Sequence, residues 1–142
     1  MGTRRVYLID TNVISEARKG RRANPGIRRF FDGVVRQEQS VFLSVVTVGE
    51  LRRGVDLIRH RGDEEQAIVL EKWLTGILNE YGEYILDIDV EVAQVWGRLR
   101  VPGPENALDK QIAATALIHD LIVVTHNESD FDGTGVQVLN PF

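Results

Sequence analysis

Four acidic side chains stand where apolar runs end or helical patterns begin. Asp10 closes the run in Leu8-Ile9-Asp10-Thr11-Asn12. Glu50 lies in Thr47-Val48-Gly49-Glu50, Asp109 opens a helical pattern reaching His119, and Asp130 sits in Thr125-His126-Asn127-Glu128-Ser129-Asp130-Phe131. Each has a purely local reading. Asp10 suits the N-cap of a helix from Thr11, and Thr47-x-x-Glu50 spells a capping box. Asp109 complements a helix dipole, and Asp130 suits a polar loop or cap. Their common placement asks for more. In a parallel α/β sheet the carboxyl ends of strands and the amino ends of helices share one rim, and ligands bind there. Asp10, Glu50, Asp109, Thr125, Asn127 and Asp130 all map to such points. Carboxylates gathered on one rim raise one another's pKa values. A hard divalent cation with all-oxygen ligands, Mg²⁺ or Mn²⁺, relieves that repulsion. The three histidines, His60, His119 and His126, lack zinc-ligand spacing; His126 reads as a loop residue or a substrate contact.

The positions are set by short apolar strands alternating with amphipathic helices. Val6–Ile9, Val41–Leu43, Tyr84–Leu86, Leu121–Thr125 and Val136–Leu139 read as strands. Pro25 to about Val35 reads as a helix opened by proline, with Ile27, Phe30, Phe31 and Val34 on one face. A second helix runs from about Thr47 to Ile58, burying Val48, Leu51 and Val55. A third runs from Glu64 to about Glu80, with Ile68, Leu70, Trp73, Leu74, Ile77 and Leu78 apolar. Asp89 caps a helix carrying Val92, Val95, Trp96 and Leu99, which Val101-Pro102-Gly103-Pro104 stops. Asp109–His119 is a compact, Ala-rich helix. This alternation predicts an α/β fold: one domain over 1–142, a central, mostly parallel sheet of about five strands, and helices on both faces.

Composition removes several classes of function. The chain has 142 residues, enough for one domain with a real core. It contains no cysteine, which excludes disulfides, thiolate zinc sites and cysteine nucleophiles. A cytoplasmic location fits that composition. No apolar run is long enough to span a bilayer, and Met1–Val6 lacks a signal core and a myristoylation pattern. No phosphate-binding glycine loop occurs. The formal net charge of −4 argues at first against a nucleic-acid partner. The charge is uneven, however. Residues 1–62 hold 13 Lys+Arg against 6 Asp+Glu, and residues 63–142 hold 4 against 15, so +7 and −11 make up the −4. A basic region and an acidic one coexist.

Four segments in order resemble the PIN-domain ribonucleases, most closely the VapC-type toxins of bacterial toxin–antitoxin pairs and their FitB-like subgroup. They are Leu8–Ser15, Leu43–Gly54, Asp109–Ala116 and Val124–Phe131, followed by a similar ending at Val138–Phe142. The resemblance implies a PIN fold and Mg²⁺- or Mn²⁺-dependent hydrolysis of RNA, leaving a 5′-phosphate and a 3′-hydroxyl. It implies that Asp10, Glu50 and Asp109 ligate the metal and that Asp130 or Asn127 completes the catalytic set. Asn12 and Thr125 match supporting polar positions, and the family usually has Arg where His126 stands. It also implies a small cognate antitoxin as partner, a homodimer, contact with DNA only through the antitoxin, and no membrane. Arg18, Arg52, Arg53 and His126 are then candidate RNA or antitoxin contacts, the arginines otherwise reading as a solvated surface. Other readings are a non-catalytic RNA- or partner-binding module, a nuclease acting on DNA, and a phosphatase with Asp10 as nucleophile. The last wants a second aspartate where this chain has Asn12.

Overall fold

A computed structural model describes residues 5–142; of the stretch Met1–Val6, residues 1–4 lie outside them. Five strands form a sheet in the order β3-β2-β1-β4-β5 with every pairing parallel. The strands are β1 (Tyr7–Ile9), β2 (Val41–Ser44), β3 (Ile85–Leu86), β4 (Ile122–Val124) and β5 (Val138–Leu139). Between them run α1 (Thr11–Ala17), α2 (Pro25–Arg36), α3 (Val45–His60), α4 (Glu64–Tyr81), α5 (Val90–Leu99) and α6 (Ala107–His119).

Side-chain alternation along the strands builds the two layers. Tyr7, Ile9 and Val124 join a core with Val13, Ile27, Leu51, Val55, Leu74 and Ile77, from α1 to α4. Leu8 and Val123 face the other way, onto Ile112, Ala113 and Ala116 of α6 and onto Phe131. Helices therefore cover both faces, and the small alanines let α6 lie close to the sheet. The strands are apolar on both faces because both faces are covered.

The sheet order matters for function. The chain winds outward through β1, β2 and β3, then returns to place β4 on the other side of β1. The winding direction thus reverses between β1 and β4, and the carboxyl ends of these two strands flank the crevice that open α/β sheets use for ligands.

Several boundaries differ from the sequence reading. Helix α3 begins at Val45, because Ser44 caps it by accepting from the Val46 N–H at 3.0 Å. Thr47 is then a fully buried helical residue. The Thr47/Glu50 capping box does not form, and Glu50 lies in the second turn. Helix α6 starts at Ala107, so Asp109 is its third residue. Ile68 is 45% exposed and takes no part in the core; Ala67, Leu74, Ile77 and Tyr81 are the buried residues of α4. Val48 is only half-buried. The last strand shortens to two residues.

Candidate active site

The crevice between β1 and β4 is closed by hydrogen bonds on Asp10. The Asp10 backbone N–H donates to the Val124 carbonyl at 2.9 Å, continuing the β1–β4 pairing for one residue. The carboxylate divides its two oxygens. Oδ1 caps α1 by accepting from the Thr11 N–H at 2.8 Å. Oδ2 accepts from the Thr125 hydroxyl at 2.8 Å and the Asn12 amide at 3.2 Å. Asp10 is almost fully buried, at 4% exposure. Burial pushes its pKa up against the opposing pull of those three donors, and the charge of Asp130 adds to the rise.

Asn12 and Thr125 extend the network. Asn12 Nδ2 also donates to Thr125 Oγ1 at 3.3 Å, and its Oδ1 accepts from the His126 N–H at 3.0 Å. Thr125 Oγ1 accepts in turn from the Asn127 N–H at 3.1 Å. The segment after β4 is thus tied to the segment after β1 on both sides of Asp10.

Glu50 reaches the same rim from α3. Helical side chains lean toward the amino end of their helix, which carries the second-turn carboxylate back toward α1. There Oε1 accepts from the Thr11 hydroxyl at 2.7 Å, and that hydroxyl lies 3.3 Å from Thr47 Oγ1. Sequence reasoning missed Thr11 and Thr47. Their only signal is a hydroxyl residue one position after Asp10 and another three positions before Glu50, which reads equally well as capping.

Asp109 and Asp130 complete the acidic rim. Asp109 is half-buried in the first turn of α6. Burial first, then the charges of Asp10, Asp130 and Glu50, push its pKa up from 3.8 to about 6. Asp130 is half-buried in the short 3₁₀ turn Glu128–Phe131. Asn127 is exposed; its carbonyl accepts from the Asp130 N–H at 3.1 Å, which holds that turn.

As placed, no three carboxylate or imidazole groups among the described residues converge into a ready cation cage. The donor set itself fits a hard cation: four carboxylates, with Asp10 and Asp109 pushed up in part by their neighbours' charge, hydroxyl and amide neighbours, and no imidazole among them.

The basic candidates lie elsewhere. Arg18 is exposed at the far end of α1, about 12 Å along the helix axis from Asp10 at 1.5 Å per residue. Arg52 bonds Glu71 of α4 at 2.9 Å, in a network that also holds Arg59, Asp56 and Glu64. Arg53 is exposed, with no ion pair among the described residues. His126 is exposed, and its ring packs on Phe142 with centroids 4.1 Å apart.

A five-stranded parallel sheet whose winding reverses over a buried aspartate, with three more acids around it, defines a class of protein. The PIN-domain family model matches residues 7–136, and the chain belongs to the PIN-domain family. It is 34% identical over 142 residues to Toxin FitB of Neisseria gonorrhoeae, covering 96% of this chain and 99% of that one. It is 26% identical over 142 residues to VapC ribonuclease Y4jK of Sinorhizobium fredii, covering 96% and 98%. Among solved structures it is similar to FitAcB from N. gonorrhoeae, with a TM-score of 0.82, 34% identity and coverage of 96% and 97%. It is also similar to FitAB bound to an IR36 DNA fragment, with a TM-score of 0.81, 32% identity and coverage of 96% and 94%.

Proposed function

We propose that this chain is the toxin of a toxin–antitoxin pair: an endoribonuclease that hydrolyses RNA phosphodiesters with a divalent metal and is held inactive by a cognate antitoxin. The observation that carries the reading is the acidic rim over the β1/β4 reversal, where Asp109 is pushed up to about 6 by burial and by the three other carboxylates. An enzyme with no use for that charge would gain stability by losing it.

Asp10, Glu50 and Asp109 would hold Mg²⁺ or Mn²⁺, with Asp130 as the fourth acid. When bound, such a cation lowers the pKa of a water and stabilises charge on phosphoryl oxygens. The chain's own groups do the positioning. Thr125 and Asn12 fix one oxygen of Asp10, the Thr11 N–H fixes the other, and the Thr11 hydroxyl orients Glu50. Asn127 helps through its backbone, which grips Thr125. Asp130 is favoured over Asn127 as the fourth acidic group because its charge already acts on Asp10 and Asp109.

The partners follow from the relatives. The relative FitB is named a toxin, and the similar structure FitAB is bound to an IR36 DNA fragment. A small antitoxin, a homodimer, and DNA contacted only through the antitoxin make up the assembly proposed for this chain. A cytoplasmic location suits an RNA substrate.

The test is cleavage of varied RNAs by wild type and Asp10→Asn, with new 5′ ends mapped. Wild type should cut in Mg²⁺ and not in excess EDTA, and Asp10→Asn should keep its fold but lose cleavage. Equal cleavage by the variant, or full activity in EDTA, contradicts the assignment.

A further inference from the structure

We infer that His126 and Phe142 form an aromatic platform that stacks on an unpaired nucleobase of single-stranded RNA next to the phosphodiester being cut. The inference rests on the nuclease reading above and deepens it by naming the substrate contact.

The platform lies at the edge of the acidic rim. His126 directly follows Thr125, whose hydroxyl holds Asp10 at 2.8 Å. Its own N–H donates to Asn12 Oδ1 at 3.0 Å, and Asn12 in turn donates to Asp10 Oδ2 at 3.2 Å. The His126 backbone is therefore fixed two hydrogen bonds from the buried carboxylate, while the residue itself is exposed. Phe142 packs on it with centroids 4.1 Å apart and ring planes at 55°, and is itself 38% exposed.

Neither ring belongs to the two apolar cores, so core packing does not account for them. The segment carrying Phe142 is nonetheless held in place. Asn140 Nδ2 donates to the His126 carbonyl at 3.4 Å and to Glu128 at 3.3 Å, and Asn140 Oδ1 accepts from the Phe142 N–H at 3.1 Å. One residue earlier, the Pro141 carbonyl lies against Gly26 at the start of α2, where any added Cβ would overlap it. An exposed aromatic pair anchored beside a phosphodiester-cleaving centre has the chemistry of a base-stacking surface. Single-stranded RNA offers splayed bases to such surfaces, and every base presents a π-face.

The experiment measures binding by fluorescence anisotropy in EDTA, so that the strand stays intact. One probe is a short labelled single-stranded RNA of mixed sequence; the other is the same strand with central abasic positions. Repulsion from the acids acts equally on both, so their ratio isolates the bases. Wild type should bind the intact strand about tenfold to a hundredfold more tightly, the range that one to two kcal/mol-scale stacking contacts give. Phe142→Leu keeps an apolar side chain but loses the flat ring. It and His126→Ala should each weaken binding to intact RNA by about tenfold and leave binding to abasic RNA unchanged, whereas His126→Phe should retain the ratio. The proposal is overturned if both loss variants bind intact RNA as wild type does. It is equally overturned if they lose affinity for both probes alike, or if wild type does not favour the intact strand. The two readings fail separately. Absence of metal-dependent cleavage by wild type with a base-dependent ratio intact removes the nuclease assignment alone, and normal cleavage with no such ratio removes the platform alone.

Discussion

Asp10 is a helix cap and a candidate metal ligand at once, and the two roles do not compete. One oxygen serves the Thr11 N–H, while the other is held by Thr125 and Asn12. The local reading of this residue was correct and incomplete. Because Thr125 is fully buried and its hydroxyl meets a carboxylate, Thr125→Val should cost about 1.5–3 kcal/mol, as loss of a bond to a charged group does. Urea denaturation measures this. Asp109 behaves in the opposite sense. Its carboxyl titrates near 6 in the folded chain against an ordinary 3.8, so between those values the folded state holds a proton that the unfolded state has released. The contribution of Asp109 to stability therefore falls as pH rises from about 4 to about 6. Asp109→Asn should match wild type near pH 4 and exceed it at pH 7.5 by on the order of 1 kcal/mol, after discounting for its partial exposure. Denaturation midpoints across that pH range decide the point. A cluster kept at a cost to stability is the expected mark of a functional site.

At the scale of elements, the acids are placed by the starts of α1, α3 and α6 and by the turn after β4. Ser44 sets the start of α3 and with it the level from which Glu50 reaches back. Ser44→Ala should destabilise the fold by about 1 kcal/mol, the usual worth of an N-cap, and should reduce cleavage as Glu50 loses its register; a thermal melt beside the RNA assay separates the two effects. Gly26→Ala should displace Pro141, destabilise the chain and disturb Phe142, which thermal melts and the anisotropy assay detect. Glu71→Gln, by contrast, breaks a network of exposed charges between α3 and α4 and should leave both the denaturation midpoint and cleavage nearly unchanged. Much of this level was legible in the sequence. Every predicted strand and helix exists, because periodicity reports burial and both faces of this sheet are buried. Boundaries were less legible. Thr47-x-x-Glu50 imitates a cap, but Ser44 ends its strand and caps the helix first. Ile68 follows the apolar spacing of α4 yet points to solvent, which only the packing of α4 against α3 decides. The Thr11–Glu50 bond joins residues 39 positions apart, and no local pattern announces it.

At the scale of the whole molecule, the sheet order turns scattered acids into one site. Reversal of winding between β1 and β4 sets Asp10 beside Thr125, 115 residues away, and α6 brings Asp109 to the same rim. The net charge of −4 is the sum of +7 over residues 1–62 and −11 over residues 63–142, and the rim draws acids from both halves. Arg52 is tied to Glu71 and Arg18 stands at the far end of α1, positions better suited to an antitoxin or to the outlying phosphates of a long RNA than to the scissile bond. Ligand linkage gives a global test of the rim. A cation that binds only the folded chain raises its melting temperature with concentration, and in Asp10→Asn that rise should shrink or vanish. The most direct measurement is a calorimetric titration of Mn²⁺ into wild type and the Asp10→Asn and Asp109→Asn variants at pH 6, in two buffers of different ionisation heat. Wild type should show saturable binding with net proton release, since a cation displaces the proton that Asp109 holds near that pH. Asp10→Asn should bind far more weakly, and Asp109→Asn should lose the proton release. Absence of saturable binding to wild type, or equal binding with equal proton release in all three proteins, would contradict the assignment of this rim as a metal site.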